Sequence, residues 1–276
     1  MVMLAAGLGT RFGGPKQLAS VGPDGEPLFV LTARRAFTAG FDRLIMVTRT
    51  DLRADVEASA QRYLPGEAVE LVLQDGAAPA RPAPWGTAHA MAICADLVDG
   101  PVGVANGDDL YGSVAIDRLA RATRDLDPND AVVVGYRLED TLSTHGPVNR
   151  ALCHLDPSGH HVLEIGERRG LQRRGAEIVD EAGLAVEPTS TVSMNLLGLG
   201  HGVLRALAER FTAFAEAHAE DRVEMVLPDE LATLMAAGRI ALHLVPGGDG
   251  WAGLTHTEDL DGLRRTLAHR ADPPAA

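Results

Sequence analysis

Met1-Val2-Met3-Leu4-Ala5-Ala6-Gly7-Leu8-Gly9-Thr10-Arg11-Phe12-Gly13-Gly14-Pro15-Lys16-Gln17 opens the chain. Its apolar start, Met1 to Ala6, is too short for a membrane span and has the length of a buried strand. Glycines placed directly after such a strand let backbone N–H groups approach an anion, and Arg11 and Lys16 add fixed positive charge to the same loop. That combination reads as a grip for a polyphosphate. A Rossmann dinucleotide fingerprint fits less well, because Gly7-x-Gly9 is followed by Gly13 at GxGxxxG spacing. The next strand also ends at Thr48-Arg49, without the acidic residue an NAD ribose needs. An NADP site with Arg49 on the 2′-phosphate, and an ordinary glycine-rich turn, stay open beside the polyphosphate reading. A Walker A loop is excluded, since no Gly-Lys-Ser/Thr occurs there.

Outward from this loop, apolar runs alternate with amphipathic segments. Strands are expected at 1–6, 43–48, 69–73, 102–105 and 131–136, with helices at 28–39, 52–61, 87–95 and 113–124. Apolar strands separated by helices imply a mostly parallel sheet covered on both faces, the doubly wound α/β pattern. Ligands in such sheets lie beyond the carboxyl ends of strands, here after Ala6, Leu73 and Ala105. The second half is less regular. A hairpin is expected at 149–155 and 160–165 around Asp156-Pro157-Ser158-Gly159. The Gly-, Arg- and Glu-rich stretch 167–187 reads as a mobile flap, and 189–199 as a strand. Helices at 203–217 and 227–237, a strand at 240–245 and a helix at 258–269 close the fold, with 271–276 a frayed tail. No hexapeptide repeat announces an appended β-helix.

Composition narrows the partners. The 276 residues carry 25 Lys and Arg against 38 Asp and Glu, a net charge of −13. Such an acidic chain lacks the basic face that nucleic acid or an anionic membrane requires. Neither is expected as a partner, so any phosphate must be held by a local site. Cys94 and Cys153 match no metal or disulfide spacing and read as buried reduced thiols. With no signal segment, the chain reads as cytoplasmic, although a strand beginning at the first residue leaves open a start upstream of Met1. The pattern fixes no oligomeric state.

At this point the residues carry a likeness. LAAGxGTRxGGxKQ, from Leu4 to Gln17, resembles the signature of nucleotidyltransferases that make nucleoside-diphosphate sugars, such as glucose-1-phosphate thymidylyltransferases and N-acetylglucosamine-1-phosphate uridylyltransferases. Trp85-Gly86-Thr87-Ala88-His89-Ala90 is similar to the family's GTAHA segment, and Val104 to Leu110 to its strand ending in Gly-Asp. Ser193-Met194-Asn195 and Trp251 to Asp259 are similar to the SMN and WFGVTxxED motifs of a bacterial subgroup. The likeness spans residues 1 to about 268. It implies a three-layer Rossmann-like α/β fold with a mostly parallel mixed sheet and a β-rich sugar-binding insertion. It also implies a single domain over 1–270, with a nucleotide-binding half to about 130 and a sugar-binding half beyond.

The resemblance further implies attack by a sugar 1-phosphate on the α-phosphorus of a nucleoside triphosphate, with UTP or dTTP expected, release of pyrophosphate, and Mg2+ bridging the phosphates. Carried over, Leu4, Ala5, Ala6 and Gly7 face the base, while Gly9, Thr10 and Arg11 hold the leaving phosphates. Lys16 sits on the α-phosphate and the incoming phosphate. Gln74 reads the base edge, and Gly86 and Thr87 complete the base pocket. His89 could serve as a general base, but the transfer requires none, so it reads as structural. A carboxylate just past a buried strand suits magnesium, which makes Asp108 the metal ligand, with Asp109 as the adjacent alternative. Gly253 falls where thymidylyltransferases carry an aspartate, and Asp249 is the nearest acidic substitute. Gly146, Glu167 and Asn195 fall where the family places backbone, carboxylate and amide contacts to sugar hydroxyls, and Arg168 where it gives a lysine to the sugar phosphate. The Arg11-to-Lys16 spacing is shorter than in thymidylyltransferases and resembles molybdopterin nucleotidyltransferases. This leaves a cytidylyl- or guanylyltransferase acting on a non-sugar phosphate, or a catalytically silent nucleotide-binding homologue, as alternatives.

Overall fold

The computed structural model describes residues 1–7, 12, 14–79, 81, 83–248, 250–254 and 259–269, without the side chains of 261, 266, 268 and 269. Val2–Leu4 (β1), Leu44–Thr48 (β2), Val69–Leu73 (β3) and Val102–Asn106 (β4) alternate with Leu28–Thr38 (α1), Arg53–Tyr63 (α2) and Thr87–Ala92 (α3). These strands lie parallel in the order β4-β1-β2-β3. The first half is thus the expected doubly wound unit, with boundaries within a few residues of those read from periodicity. Asp109–Leu110 (β5), Ser113–Arg124 (α4) and Asp130–Arg137 (β6) come next, followed by Val148–Leu155 (β7), Val162–Arg174 (β8), Glu177–Val179 (β9), Ala185–Val186 (β10) and Thr191–Leu199 (β11). The chain continues through His201–Ala217 (α5), Leu227–Ala236 (α6), Ala241–Pro246 (β12), Ala252–Gly253 (β13) and Asp259–His269 (α7).

One eleven-stranded sheet joins these parts. Its central strands alternate their faces with period two and so contribute to both cores. Met3, Met46 and Ala105 pack with Phe29, Val56, Ile116 and Leu119 from α1, α2 and α4 on one face. Val2, Val47 and Val104 pack with Met91, Leu204, Leu207 and Leu231 from α3, α5 and α6 on the other. The result is the three-layer α/β architecture the resemblance implies. Both cysteines are buried free thiols.

Two expectations are corrected. Strand β6 runs in the same direction as β4 but not beside it, because β11 lies between them antiparallel to both, and β6 pairs in parallel with β12. Apolar runs report burial but not neighbours, and β11 takes the central slot between the halves. Residues 167–187 are not a flap but the outer end of β8 with β9 and β10, paired antiparallel. The stretch looked mobile because one face of the ribbon is solvated, while Leu171, Ile178 and Val179 are buried on the other. Buried Asp180 closes its turn by accepting the Ala182 and Leu184 N–H groups at 3.0 and 2.9 Å.

The feature that positions the site is a break in β11. Residues 191–193 lie between β7 and β6, whereas 197–199 lie between β4 and β6, with a register shift between 193 and 197. Asn195 stands in this shift at φ 56°, the only non-glycine residue in the left-handed region among those described. Asparagine tolerates that conformation better than most residues, and bulges of this kind re-aim side chains beside active sites. The exchange of partner from β7 to β4 parts the sheet, and the gap lies at the carboxyl ends of β1 and β4.

Candidate functional site

Two cavities meet in that gap. The first, about 400 Å³, is walled by Leu4, Ala5, Ala6 and Gly7 after β1, by Gln74 after β3, and by Gly86 and Thr87 at the start of α3. The second, about 280 Å³, is walled by Asn106, Asp109, Arg150, Glu167, Ser193 and Trp251. Lys16, Thr87, Asn106, Asp108, Asn195 and Glu224 line both. Leu4 to Gly7, Gln74 and Gly86, expected on the nucleotide, therefore line the first cavity alone, Glu167, expected on the acceptor, lines the second alone, and Thr87 and Asn195 stand where the two meet.

The cavities touch at an ion pair between Lys16 Nζ and Asp108 Oδ2. Lys16 starts a one-turn 3-10 helix that is anchored by its neighbour, since buried Gln17 donates from Nε2 to the Ala5 carbonyl at 2.8 Å. Gly107 N–H donates to the Leu4 carbonyl at 2.8 Å, which fixes the loop carrying Asp108 against the same strand end. The short loop therefore holds its lysine against the carboxylate expected to bind metal. The next carboxylate behaves differently. Asp109 is 7% exposed, accepts from Asn106 Nδ2 at 2.8 Å, and pairs across β5 and β13 with Gly253. A side chain at 253 would meet Asp109 Oδ1 and the Trp251 ring, each at 2.6 Å, so one or both would have to shift. Burial, followed by the neighbouring Asp108 charge, pushes the Asp109 carboxyl up to about 7. Beneath it, Tyr111 donates to the Met194 carbonyl at 2.9 Å and Tyr136 to the Tyr111 carbonyl at 3.0 Å, a polar floor with its donors satisfied.

The wall of the first cavity is equally constrained. Gln74 Nε2 donates to the Gly86 carbonyl at 2.8 Å and lies 3.3 Å from His89 Nδ1. Turning the amide over would set two carbonyl oxygens against each other, so Oε1, which has no hydrogen bond to described residues, is the atom left for a ligand. His89 is fully buried and stacks on Phe211 at 4.2 Å. Burial, then Arg81, lowers its pKa to about 4. Its Nδ1 faces the Gln74 amide, while its buried Nε2 has no hydrogen-bond partner among the described residues. Arg81, 1% exposed, donates to the carbonyls of Ala83, Pro84, His218 and Val223 and lies 4.0 Å over the Trp85 ring. It clips the loop before α3 to residues 218–223, close to Glu224 at the junction of the cavities.

These two shifted groups pull stability in opposite directions with pH. A histidine with a native pKa of about 4 against an ordinary 6.5 contributes stability that is present above 6.5 and lost as pH falls toward 4. Asp109, raised to about 7 from 3.8, contributes stability that is present below 3.8 and lost as pH rises through 7. In His89→Gln only the second slope persists, so Tm should fall more steeply from pH 4 to 6.5 than in the parent. Parallel Tm profiles for the two proteins would contradict this.

Other expected residues lie elsewhere. Gly146 and Arg168 line neither cavity, and the Arg168 guanidinium is held by buried Asp180 at 3.1 Å. Gly9, Thr10, Arg11 and Asp249 lie outside the described residues, as does the 271–276 tail. Arg49, considered for a 2′-phosphate, instead donates to the Ala6 and Gly7 carbonyls at 3.1 and 2.9 Å and pairs with Asp51. The residue most clearly missed is Arg150. It lines the second cavity, its Nε donates to the Thr141 carbonyl at 3.2 Å, and it lies 5.2 Å from the Trp251 ring. Burial lowers its pKa to about 10 while Asp109 opposes that shift. The signal was present, since Val148 and Leu152 are inward positions of a period-two strand and Arg150 falls between them. Glu224 had no such signal, because it belongs to a loop.

Residues 1–184 match the model of the MobA-like NTP transferase domain. The chain belongs to this family. As a MobA-like NTP transferase it is a nucleotidyltransferase enzyme acting on phosphate-bearing substrates. Solved structures share the fold at low identity. The inositol-1-phosphate CTP transferase from T. maritima is 14% identical, with a TM-score of 0.62 over 99% of this chain and 97% of that one. A provisionally assigned glucose-1-phosphate thymidylyltransferase from Bacillus anthracis, solved with sucrose, is 14% identical, with a TM-score of 0.65 over 100% and 96%. HddC from Yersinia pseudotuberculosis is 14% identical, with a TM-score of 0.61 over 96% and 98%. No curated protein matches the sequence. No helix among the described residues of this MobA-like chain is long and apolar enough to cross a membrane.

Proposed function

We propose that the chain transfers a nucleotidyl group from a nucleoside triphosphate, UTP or dTTP, to a sugar 1-phosphate and releases pyrophosphate. The observation that supports this is the pair of cavities sharing Lys16 and Asp108: one has a glycine-edged, largely apolar wall suited to a base and ribose, the other a hydroxyl-binding polar wall. An acceptor phosphate oxygen attacks the α-phosphorus as pyrophosphate leaves on the opposite side. Lys16 lies where both reacting phosphates converge and neutralises charge there, while Arg11 is assigned to the leaving group. Gln74 Oε1 accepts a hydrogen from the base, which the imide N–H of uracil or thymine supplies.

The donor set fits a hard divalent cation such as Mg2+. Asp108 lines both cavities, and the Asp109 Oδ1 beside it carries no hydrogen bond to described residues. Among those residues no three His, Cys, Asp or Glu side chains cluster as a metal cage. Asp108 would therefore be the main protein ligand, with phosphate oxygens and water completing the shell, and Asp249 is assigned as the second. Such an ion polarises the phosphate oxygens when bound. In this reading the enzyme is cytoplasmic, and its reduced thiols suit that compartment.

The cytosine amine also satisfies Gln74 Oε1, so a cytidylyltransferase acting on a non-sugar phosphate is the second reading. Pyrophosphate release from UTP, dTTP, CTP and GTP across sugar 1-phosphates and polyol phosphates, with Mg2+, tests both. Turnover of sugar 1-phosphates with UTP or dTTP is expected. Turnover confined to CTP or GTP with non-sugar acceptors moves the assignment to the second reading. Nucleotide binding without any turnover overturns both in favour of a silent homologue.

A further inference from the structure

Beyond the acceptor cavity the wall continues into a third space, larger than the acceptor cavity itself at about 680 Å³. The two share Asn149, Glu167, Glu224 and Val226, so whatever fills one adjoins the other. The outer wall adds Arg169, Arg222 and Asp229. We propose that this vestibule holds a second hydroxyl-rich unit of the acceptor, so that the preferred acceptor is a phosphorylated sugar extended by a further glycosyl or polyol group. The inference rests on the nucleotidyl-transfer reading above and adds the length of the acceptor to it.

Charge decides against a second phosphate. Two guanidinium groups face three carboxylates, Glu167, Glu224 and Asp229, which leaves the space with a net negative charge. A simple cation is opposed by the two arginines. A neutral polyhydroxylated group satisfies both signs at once, because each hydroxyl donates to a carboxylate and accepts from a guanidinium. The side chains are set for that. Arg169 Nε donates to Glu167 Oε1 at 3.0 Å, which orients the carboxylate and leaves its other oxygen available. Asn149 Oδ1 accepts the Gly170 N–H at 3.2 Å, which fixes the amide with Nδ2 as a donor. The Arg222 guanidinium makes no hydrogen bond or ion pair with any described residue. Val223, 51% exposed, supplies an apolar patch for the C–H face of a ring.

Pyrophosphate release is measured for monosaccharide 1-phosphates of gluco, galacto and manno configuration and for the matching disaccharide 1-phosphates, each with UTP, dTTP, CTP and GTP. In at least one pair the disaccharide should show a kcat/KM about tenfold higher, the worth of one hydrogen bond to a charged group. Arg222→Ala should remove that advantage and leave monosaccharide turnover unchanged. Monosaccharides that serve equally well in every pair, or an Arg222→Ala loss shared by both lengths, overturn the proposal while leaving nucleotidyl transfer intact. If no pair releases pyrophosphate, the transfer reading itself fails. Binding of the same disaccharide 1-phosphates by calorimetry then decides the vestibule: affinity weakened by Arg222→Ala supports it, and affinity equal in both proteins overturns it.

Discussion

Lys16→Ala should lower the rate of pyrophosphate release by roughly 10²–10³-fold, comparable to removing one preorganised donor from a developing oxyanion. The lysine lines both cavities and is held against Asp108 by a turn that Gln17 anchors to β1. It therefore meets reacting phosphates without reorganisation, which is where fixed charge contributes most to rate. The ion pair is partly solvated, so its loss should cost about 1 kcal/mol or less of stability and leave Tm nearly unchanged. Asp108→Asn should reduce the rate by a similar factor for a different reason, the loss of a ligand oxygen. If the two groups act on one phosphate cluster, the double variant costs less than the product of the single losses. Undiminished turnover in Lys16→Ala would remove this residue from the chemistry.

Gly86→Ala should be the most damaging single methyl group in the first half of the chain. Gly86 lies at φ 97°, and a Cβ there would stand 2.5 Å from the Met225 carbonyl oxygen and 2.8 Å from its carbon and nitrogen. These are backbone atoms and cannot rotate aside. Making room displaces Met225, whose N–H donates to the Trp85 carbonyl and whose carbonyl accepts the Ala88 N–H, both at 2.9 Å. Left-handed strain of about 1–3 kcal/mol and weakened buried hydrogen bonds of about 1–3 kcal/mol each place the total near 3 kcal/mol or more. For a chain of this size that lowers Tm by roughly 6–12 °C. Nucleotide affinity should fall as well, because the Gly86 carbonyl is the acceptor that orients Gln74. Gly7→Ala lines the same cavity with no atom within 4 Å of its Cβ and serves as the stability control. Equal Tm values for the two variants would contradict this account of the clash.

The contrast between these glycines also marks where sequence reading stops. Both follow or precede buried segments and look alike in the chain. Only the approach of residue 225, which is distant in sequence, makes one of them obligatory. The same distinction holds for the carboxylates. Asp108 and Asp109 are adjacent and chemically identical, yet one lines both cavities and the other is buried against Gly253. Arg168 and Arg150 exchange expectations for a related reason. Arg168 is exposed beside Asp180, whereas Arg150 occupies the inward face of β7 beside the acceptor cavity.

By itself the sequence determined the α/β series of the first half, the glycine loop with its lysine, and the strand-end positions of Gln74 and Asp108. Periodicity and polarity along consecutive residues suffice for these, since burial of a strand or helix face is a local pattern. Only the tertiary structure decided the central place of β11, its partner exchange at Asn195, and the gap that this exchange opens. Strand neighbours are chosen by hydrogen bonding and packing between segments far apart in the chain, which no local pattern records. The acceptor wall is made almost entirely of such distant residues, from Asn106 through Arg150 to Glu224 and Trp251, and it exists only once the sheet has parted.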